Sequence, residues 1–426
     1  GDWSSDVCSS DLIAGLGFAG PYWGLAFTVG GGIATGTIAL VSQRFGAEAF
    51  DQLGQAVRSS VLLVVVVSLA IAAPMAAFPR PLVDLLATDP ESVALGAQYL
   101  RIVALGVPFA ALNLIGSRIL IGADDAWTPM VLRATGAVSN VVLTGVLIFG
   151  VGMGVAGAAI GTVLSNVAVT AAFALGLARG GLPGVGRFPV KVAVRGPYAH
   201  RGTLRDLVRI SVPATGRRGI WTVARFPMLA FVALFGQPVV AAYVISRRIW
   251  GLINTPGWGF GLAASSLVGQ SLGEGDEALA AVYGHEITRI AVLTYVVAAA
   301  IVIALAEPIV RLFVTDPVGS TVPIAVSLVY AAALAVIARG IGGTYAGALD
   351  AAGDTRWPFY SRAVGMFGLA IPLTYLGATT SLGLWGLYLA YFGQSLAPAL
   401  INAYRFRSGA WKAISRRYRP ESAAMD

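Results

Sequence analysis

Three short signatures occur twice in this chain, in the same order and at nearly the same spacing, each beside long apolar stretches. Pro81-Leu-Val-Asp-Leu-Leu-Ala-Thr-Asp-Pro90 returns as Pro308-Ile-Val-Arg-Leu-Phe-Val-Thr-Asp-Pro317, an offset of 227 residues. Leu40-Val-Ser-Gln43-Arg-Phe-Gly46 returns as Leu267-Val-Gly-Gln270-Ser-Leu-Gly273 at the same offset. Asp125-Ala-Trp-Thr-Pro129 returns as Asp354-Thr-Arg-Trp-Pro358, offset by 229, and Gly154-Val-Ala-Gly157 returns as Gly383-Leu-Trp-Gly386 at that second offset. A chain built this way is a duplication, and a duplicated bundle of apolar helices is a common construction for secondary transporters.

Composition settles the solvent. Hydrophobic residues make up 57% of the chain and charged residues 12%, against about 25% charge in an ordinary soluble domain. The expected fold class is an all-α polytopic membrane protein. Its net charge of +8 then belongs to membrane-facing loops rather than to a nucleic-acid surface. Residues 1–12 read differently. Asp2-Trp-Ser-Ser-Asp-Val-Cys-Ser-Ser-Asp-Leu12 matches one translation frame of a common sequencing adapter, and it lacks the basic start and apolar core of a signal peptide. These residues are expected to be an artefact. The single cysteine, Cys8, lies among them, so disulfide, iron–sulfur and cysteine-nucleophile chemistry fall away.

A membrane helix needs about 20 apolar residues. Stretches at 22–43, 57–78, 93–121, 127–150 and 153–178 qualify in the first half, and 206–236, 239–270, 282–306, 320–349, 357–379 and 382–405 in the second. The repeat register leaves the first half one helix short, so the expectation is two parallel six-helix repeats with the first helix missing and eleven present. The expected organisation is an N-terminal lobe at 13–178, a basic linker at 179–204, a C-terminal lobe at 205–406 and a basic tail at 407–426. Arginines crowd the linker and the tail, which places both in the cytoplasm by the positive-inside rule. Six helices between them agree with one side. The Thr-Asp-Pro elements then fall in extracytoplasmic turns and the Asp-x-x-x-Pro elements in cytoplasmic ones. Asp89, Asp316, Asp125 and Asp354 are expected to cap helix starts, with Pro129 and Pro358 in the first turns.

Chemistry-bearing residues are sparse. No carboxylate beyond residue 12 is central to an apolar span. Arg217, Arg218, Arg225, Arg247, Arg248 and Arg339 do lie in spans; an arginine there either faces a polar cavity, one suited to anionic groups, or snorkels to an interface. Both readings stay open for Arg225 and Arg339, with breaks near Pro213 and Pro227 as a source of carbonyl partners. Snorkelling is favoured for Arg217 and Arg218. Asn113, Asn140 and Asn166 are either interhelical glue or cavity ligands. His200 and His285 have no partner spacing for a metal, and no phosphate loop or nucleophile elbow is present. No enzyme activity, cofactor or metal is expected.

The motif set resembles the multidrug and toxic compound extrusion (MATE) family. The resemblance rests on the Leu-Val-x-Gln-x-x-Gly ends carrying Gln43 and Gln270, on Gly347-Ala-Leu-Asp-Ala-Ala-Gly353-Asp-Thr355, on Ala241-Ala-Tyr-Val-Ile245 and on Gly409-Ala-Trp-Lys412. It implies two six-helix lobes with a V-shaped central cavity. It also implies export of xenobiotics, often cationic and amphipathic, in exchange for protons or sodium ions. Family members carry an essential aspartate on the first helix, and some branches pair an Asn with an Asp one turn later on the fifth. Here that pair reads Asn140 and Thr144, so the coupling acid is expected on the missing helix with Asn140 and Thr144 as polar neighbours. A monomer in the plasma membrane is the expected state, its partners small-molecule substrates, the coupling ions and the bilayer. A lipid-linked saccharide flippase of the same superfamily is the alternative, and an integral-membrane enzyme a more distant one.

Overall fold

A computed structural model describes residues 10–86, 89–313 and 321–420. The 1–12 segment, expected to be an artefact, lies largely outside the described residues, as does Asp316.

Apolar runs with every backbone group bonded inside the segment give helices. In chain order these are α1 (Ser10–Gly46), α2 (Phe50–Ala77), the short α3 (Pro79–Asp84), α4 (Pro90–Ala104), α5 (Val107–Gly122), α6 (Trp127–Gly145) and α7 (Gly154–Arg179). After a small β1–β2 hairpin (Gly181–Leu182 with Gly186–Arg187) follow α8 (Arg201–Ala233), α9 (Gln237–Ile253), α10 (Thr255–Gly273), α11 (Glu277–Ala304) and the short α12 (Ala306–Arg311). The chain continues through α13 (Thr321–Ala351), α14 (Arg356–Ala363), α15 (Ile371–Thr379), α16 (Trp385–Arg407) and the short α17 (Ala410–Ser415). Wider π turns extend α6 over Val146–Gly150 and join α14 to α15 over Val364–Ala370.

Helices occupy all eleven stretches expected from the sequence. Six described helices are long and apolar enough to cross a membrane, or seven with the bent α4–α5 pair counted as one. Two of the others are broken up locally: α8 carries Arg217, Arg218 and Arg225, and α9–α10 is interrupted at Asn254.

Two expected spans are therefore not single helices. The 93–121 stretch bends by 48° between α4 and α5, where Pro108 removes a backbone donor just after Gly106. The repeat places Ala333 and Ala335 at those positions, and α13 runs unbroken for 31 residues. The 239–270 stretch breaks at Asn254, ahead of Pro256; the equivalent Phe27 and Val29 sit inside continuous α1. Conversely, α8 runs through Pro213 and Pro227 without the expected interruption.

The contacts divide the chain into two compact units. The first comprises Gly1–Val41 and Phe50–Ser211, the second Ser42–Ala49 and Val212–Asp426. In the first, α7 is packed by α4, α5 and α6, while α2 packs on α4 and α5. The basic 179–204 stretch docks here: Phe188, Val190 and Val192 are buried. Arg58 of α2 donates to Ala193 O at 3.0 Å, and Ser59 Oγ to Tyr198 O at 3.0 Å. In the second unit α13 is the axis, packed by α9, α10, α11 and α16. Its buried face is mostly alanine and glycine, which lets neighbouring backbones approach closely.

Candidate functional site

The repeated motifs are structural in distinct ways. Within the second unit, residues 43–46 and 270–273 of the two motif ends press backbone on backbone: a Cβ on Gly46 would lie 2.0 Å from Gln270 O, and one on Gly273 2.0 Å from Gln43 O. Only glycine fits either place. Gln43 Nε2 donates to Ala351 O at 2.6 Å, and Gln270 Nε2 to Ser266 Oγ at 3.0 Å. Asp89 caps α4 by accepting from Ser92 N at 2.7 Å, and Asp125 caps α6 by accepting from Thr128 N at 2.9 Å. The Ser92 backbone N–H, and after it the Ser92 hydroxyl, hold the Asp89 carboxyl below its ordinary value. Pro129 and Pro358 occupy buried first-turn positions, where no backbone donor is lost.

Asp354 departs from its expected role. It caps nothing; its carboxylate accepts from Arg405 Nε at 2.7 Å. Burial pushes its pKa up, against the pull of the Arg405 guanidinium. The approach of α16, which brings Arg405, offers a charged partner that competes with the helix start.

The first unit brings Asn113, Asn140, Thr144 and Asn166 together. α7 supplies Thr162, Ser165, Asn166 and Thr170, a stripe at helical spacing on one face. Asn113 Nδ2 donates to Asn166 Oδ1 at 2.9 Å, and Asn113 Oδ1 accepts from Thr170 Oγ1 at 2.8 Å. Asn166 Nδ2 donates to Thr162 O at 2.8 Å. Asn140 Nδ2 reaches Thr162 Oγ1 at 3.2 Å and Ser165 Oγ at 3.1 Å. The three asparagines thus join α5 and α6 to α7. Thr144 Oγ1 is buried with no hydrogen-bond partner, where α6 crosses α7 at Gly161; a Cβ there would lie 2.5 Å from that hydroxyl. No carboxylate joins this seam among the described residues. On α5 beside it, Ala110, Ala111 and Leu114 line a shallow apolar cleft with Trp23 and Phe27. Thr162, Ser165 and Thr170 were not singled out in the sequence, although their spacing with Asn166 was there to be found.

The second unit is different in kind. Arg217, expected to snorkel, makes a two-pronged pair with Asp350: Nη1 to Oδ1 at 3.1 Å and Nη2 to Oδ2 at 2.5 Å. Asp350 closes the last turn of α13 and is 4% exposed, so a partner from α8 takes the place of water. Arg218 and Arg339 are half-buried, each with its Nε buried and unbonded. Arg225 is exposed, within electrostatic reach of Tyr243. Arg247 lies over Trp221 at 4.9 Å and Trp250 at 5.0 Å from the ring centres. Arg362 is the residue sequence reasoning missed. It is 4% exposed, sits 5.3 Å from the Trp221 ring centre, and has an unbonded Nε. Its place inside the 357–379 stretch was the available signal. Among the described residues no group of three or more His, Cys, Asp or Glu side chains could hold a metal ion.

The MatE family model matches residues 3–146 and 217–376. The probable multidrug resistance protein YoeA of Bacillus subtilis is 23% identical over 401 residues, covering 91% of this chain and 83% of its own. The probable multidrug resistance protein NorM of Bradyrhizobium diazoefficiens is 26% identical over 419 residues, covering 93% and 86%. Among solved structures, the outward-facing conformation of a multidrug resistance MATE family transporter of the MOP superfamily superposes with a TM-score of 0.86. It is 21% identical, with 96% of this chain and 90% of that one covered. The last likeness carries the fold; the family match extends over both halves of the duplication. The chain belongs to the MatE family of multidrug efflux transporters.

Proposed function

We propose that this protein is a secondary antiporter that exports xenobiotics, chiefly cationic amphipathic drugs, in exchange for protons or sodium ions by alternating access. The observation that carries the reading is the MatE match across both repeats. The first unit supports it chemically. Aromatic and aliphatic side chains at the shallow cleft beside α5 offer apolar surface of the kind an amphipathic compound contacts. The adjacent amide and hydroxyl seam offers neutral oxygen to a cation, with Asn140 and Thr144 as the positions closest to the expected coupling chemistry. We place the protein in the plasma membrane as a monomer, with the 179–204 stretch and the C-terminal tail on the cytoplasmic side.

Dye efflux from cells or proteoliposomes tests the reading. Efflux is expected to stop when both the proton and the sodium gradients are collapsed and to persist when ATP is depleted at constant gradients. Efflux that survives loss of both gradients rejects the antiport mechanism.

A further inference from the structure

We propose that the 179–201 arm of the first unit is a docking surface for the headgroups of anionic phospholipids in the leaflet it borders. The proposal rests on the membrane placement given above, and not on the transported compound or the coupling ion. No acidic residue occurs between Asp125 and Asp206, whereas Arg179, Arg187, Lys191, Arg195 and Arg201 all fall within the arm. All five are exposed. No ion pair involves any of them among the described residues.

The arm is folded onto the unit. Residues 188–192 alternate, with Phe188, Val190 and Val192 buried and Pro189 and Lys191 exposed, the period of an extended chain lying on an apolar support. Phe188 N donates to Gly180 O at 3.1 Å and Val192 N to Leu177 O at 2.9 Å, which ties the arm to the end of α7. Arg58 and Ser59 of α2 hold the carbonyls of Ala193 and Tyr198 further along. Three cations are gathered as a result. Arg179 ends α7, the Lys191 stem comes within 3.7 Å of where a Cβ on Gly180 would lie, and Arg187 is the register partner of Gly181 in the β1–β2 hairpin. The apolar side chains are used against the protein, so the charge is left to whatever the outer side of the arm meets.

That partner is read from two observations. The arm is tied to α2 and α7, both long and apolar enough to cross a membrane, so it lies beside the bilayer surface, where each Lys or Arg is drawn to anionic headgroups. Val194 and Tyr198 are exposed on either side of Arg195, and the Tyr198 hydroxyl donates to Val194 O at 3.0 Å. Basic residues interleaved with exposed apolar and aromatic ones are the pattern of a segment at the headgroup boundary. A free anion would make no use of the apolar members.

The test is the melting temperature of the delipidated full chain in neutral detergent as phosphatidylglycerol is titrated in, with phosphatidylcholine in parallel. Phosphatidylglycerol is expected to raise it saturably at low salt, less at high salt, and phosphatidylcholine is not. Arg187→Gln combined with Lys191→Gln is expected to raise the half-saturating concentration about thirtyfold. Arg80→Gln combined with Arg101→Gln, which removes two exposed charges elsewhere on the same unit, is expected to leave it unchanged. Lys191→Arg keeps the charge and is expected to behave as the parent, which covers the case in which the glutamine pair fails to fold. Glycerol phosphate, a headgroup without its chains, is expected to compete poorly. An equal response to the two lipids, equal weakening by the two double variants, or displacement by glycerol phosphate at matching concentration overturns the proposal. None of these readings uses dye efflux or an ion gradient, so the antiport mechanism can fail while this surface stands, and the reverse.

Discussion

Between α5, α6 and α7 of the first unit, polar atoms are amides and hydroxyls that satisfy one another along a single stripe. Around α8, α13 and α14 of the second, they are guanidinium groups, of which Arg217 alone is bonded to a carboxylate, that of Asp350. Both sets sit in apolar helical bundles, and the duplication gives both halves the same order of elements. The difference teaches that duplication fixes packing without fixing polarity. Motif glycines and caps keep the helices in place, and the polar interior is free to diverge. A neutral seam loses little when one member goes, because neighbours find other partners in the helix backbone. A charged group does not share that tolerance: removing the acid strands the arginine.

The sharpest way to break the contrast is Asp350→Leu. Leaving Arg217 buried and unpaired should lower stability by about 3–5 kcal/mol, read as a fall in the melting temperature in detergent. The double variant with Arg217→Leu should recover most of the loss. A single variant that melts with the parent would erase the contrast.

Next in size are the glycines at backbone contacts. Gly46→Ala and Gly347→Ala each force a Cβ against a carbonyl oxygen, at 2.0 Å and 2.1 Å, and should cost about 1–3 kcal/mol. The same measurement applies, and unchanged melting would mean that the helices part freely there.

Asn113→Leu should cost about 0.6 kcal/mol and at most about 1.7, the range for interhelical hydrogen bonds in membranes. A loss as large as that of Asp350→Leu would show that the seam is as unforgiving as the arginine cluster. Thr144→Val sharpens the point from the other side. Its hydroxyl has no partner, so the change should leave stability level or raise it by up to about 1 kcal/mol. Ion-dependent efflux should fall several-fold if that hydroxyl serves the coupling ion, and parental efflux would return it to packing alone.

The smallest effect is expected at Asp89. Its pKa is depressed by the hydrogen bonds from Ser92, so its contribution is present above the ordinary carboxylate value and is lost as pH falls through the lowered one. Asp89→Ala should flatten the acid limb of melting temperature against pH slightly; an unaltered limb would show that the cap adds nothing.

Much of the fold was legible in the sequence, because spanning length, duplication and capping are local or periodic properties. Helices stand over all eleven apolar stretches, and Asp89 and Asp125 cap where an acid ahead of a helix start should. The breaks at Gly106–Pro108 and at Asn254–Pro256 carried a signal in their prolines, but so did Pro213 and Pro227, through which α8 runs intact. Whether a proline interrupts a helix depends on what neighbouring side chains do for the freed carbonyl, which sequence spacing does not report.

The candidate sites divide along the same line. Asn140 and Thr144, one turn apart, share a face by helix geometry alone, and the α7 stripe follows from spacing. The pairing of Arg217 with Asp350, 133 residues away, and of Asp354 with Arg405, does not. An ion pair between distant elements exists only once packing has brought both charges out of water together. Sequence by itself determined that the chain is a duplicated apolar helical bundle of this family and where its helices lie. Tertiary structure alone decided which arginines are neutralised and which are left open, because burial and partner geometry are properties of the assembled unit and not of any segment.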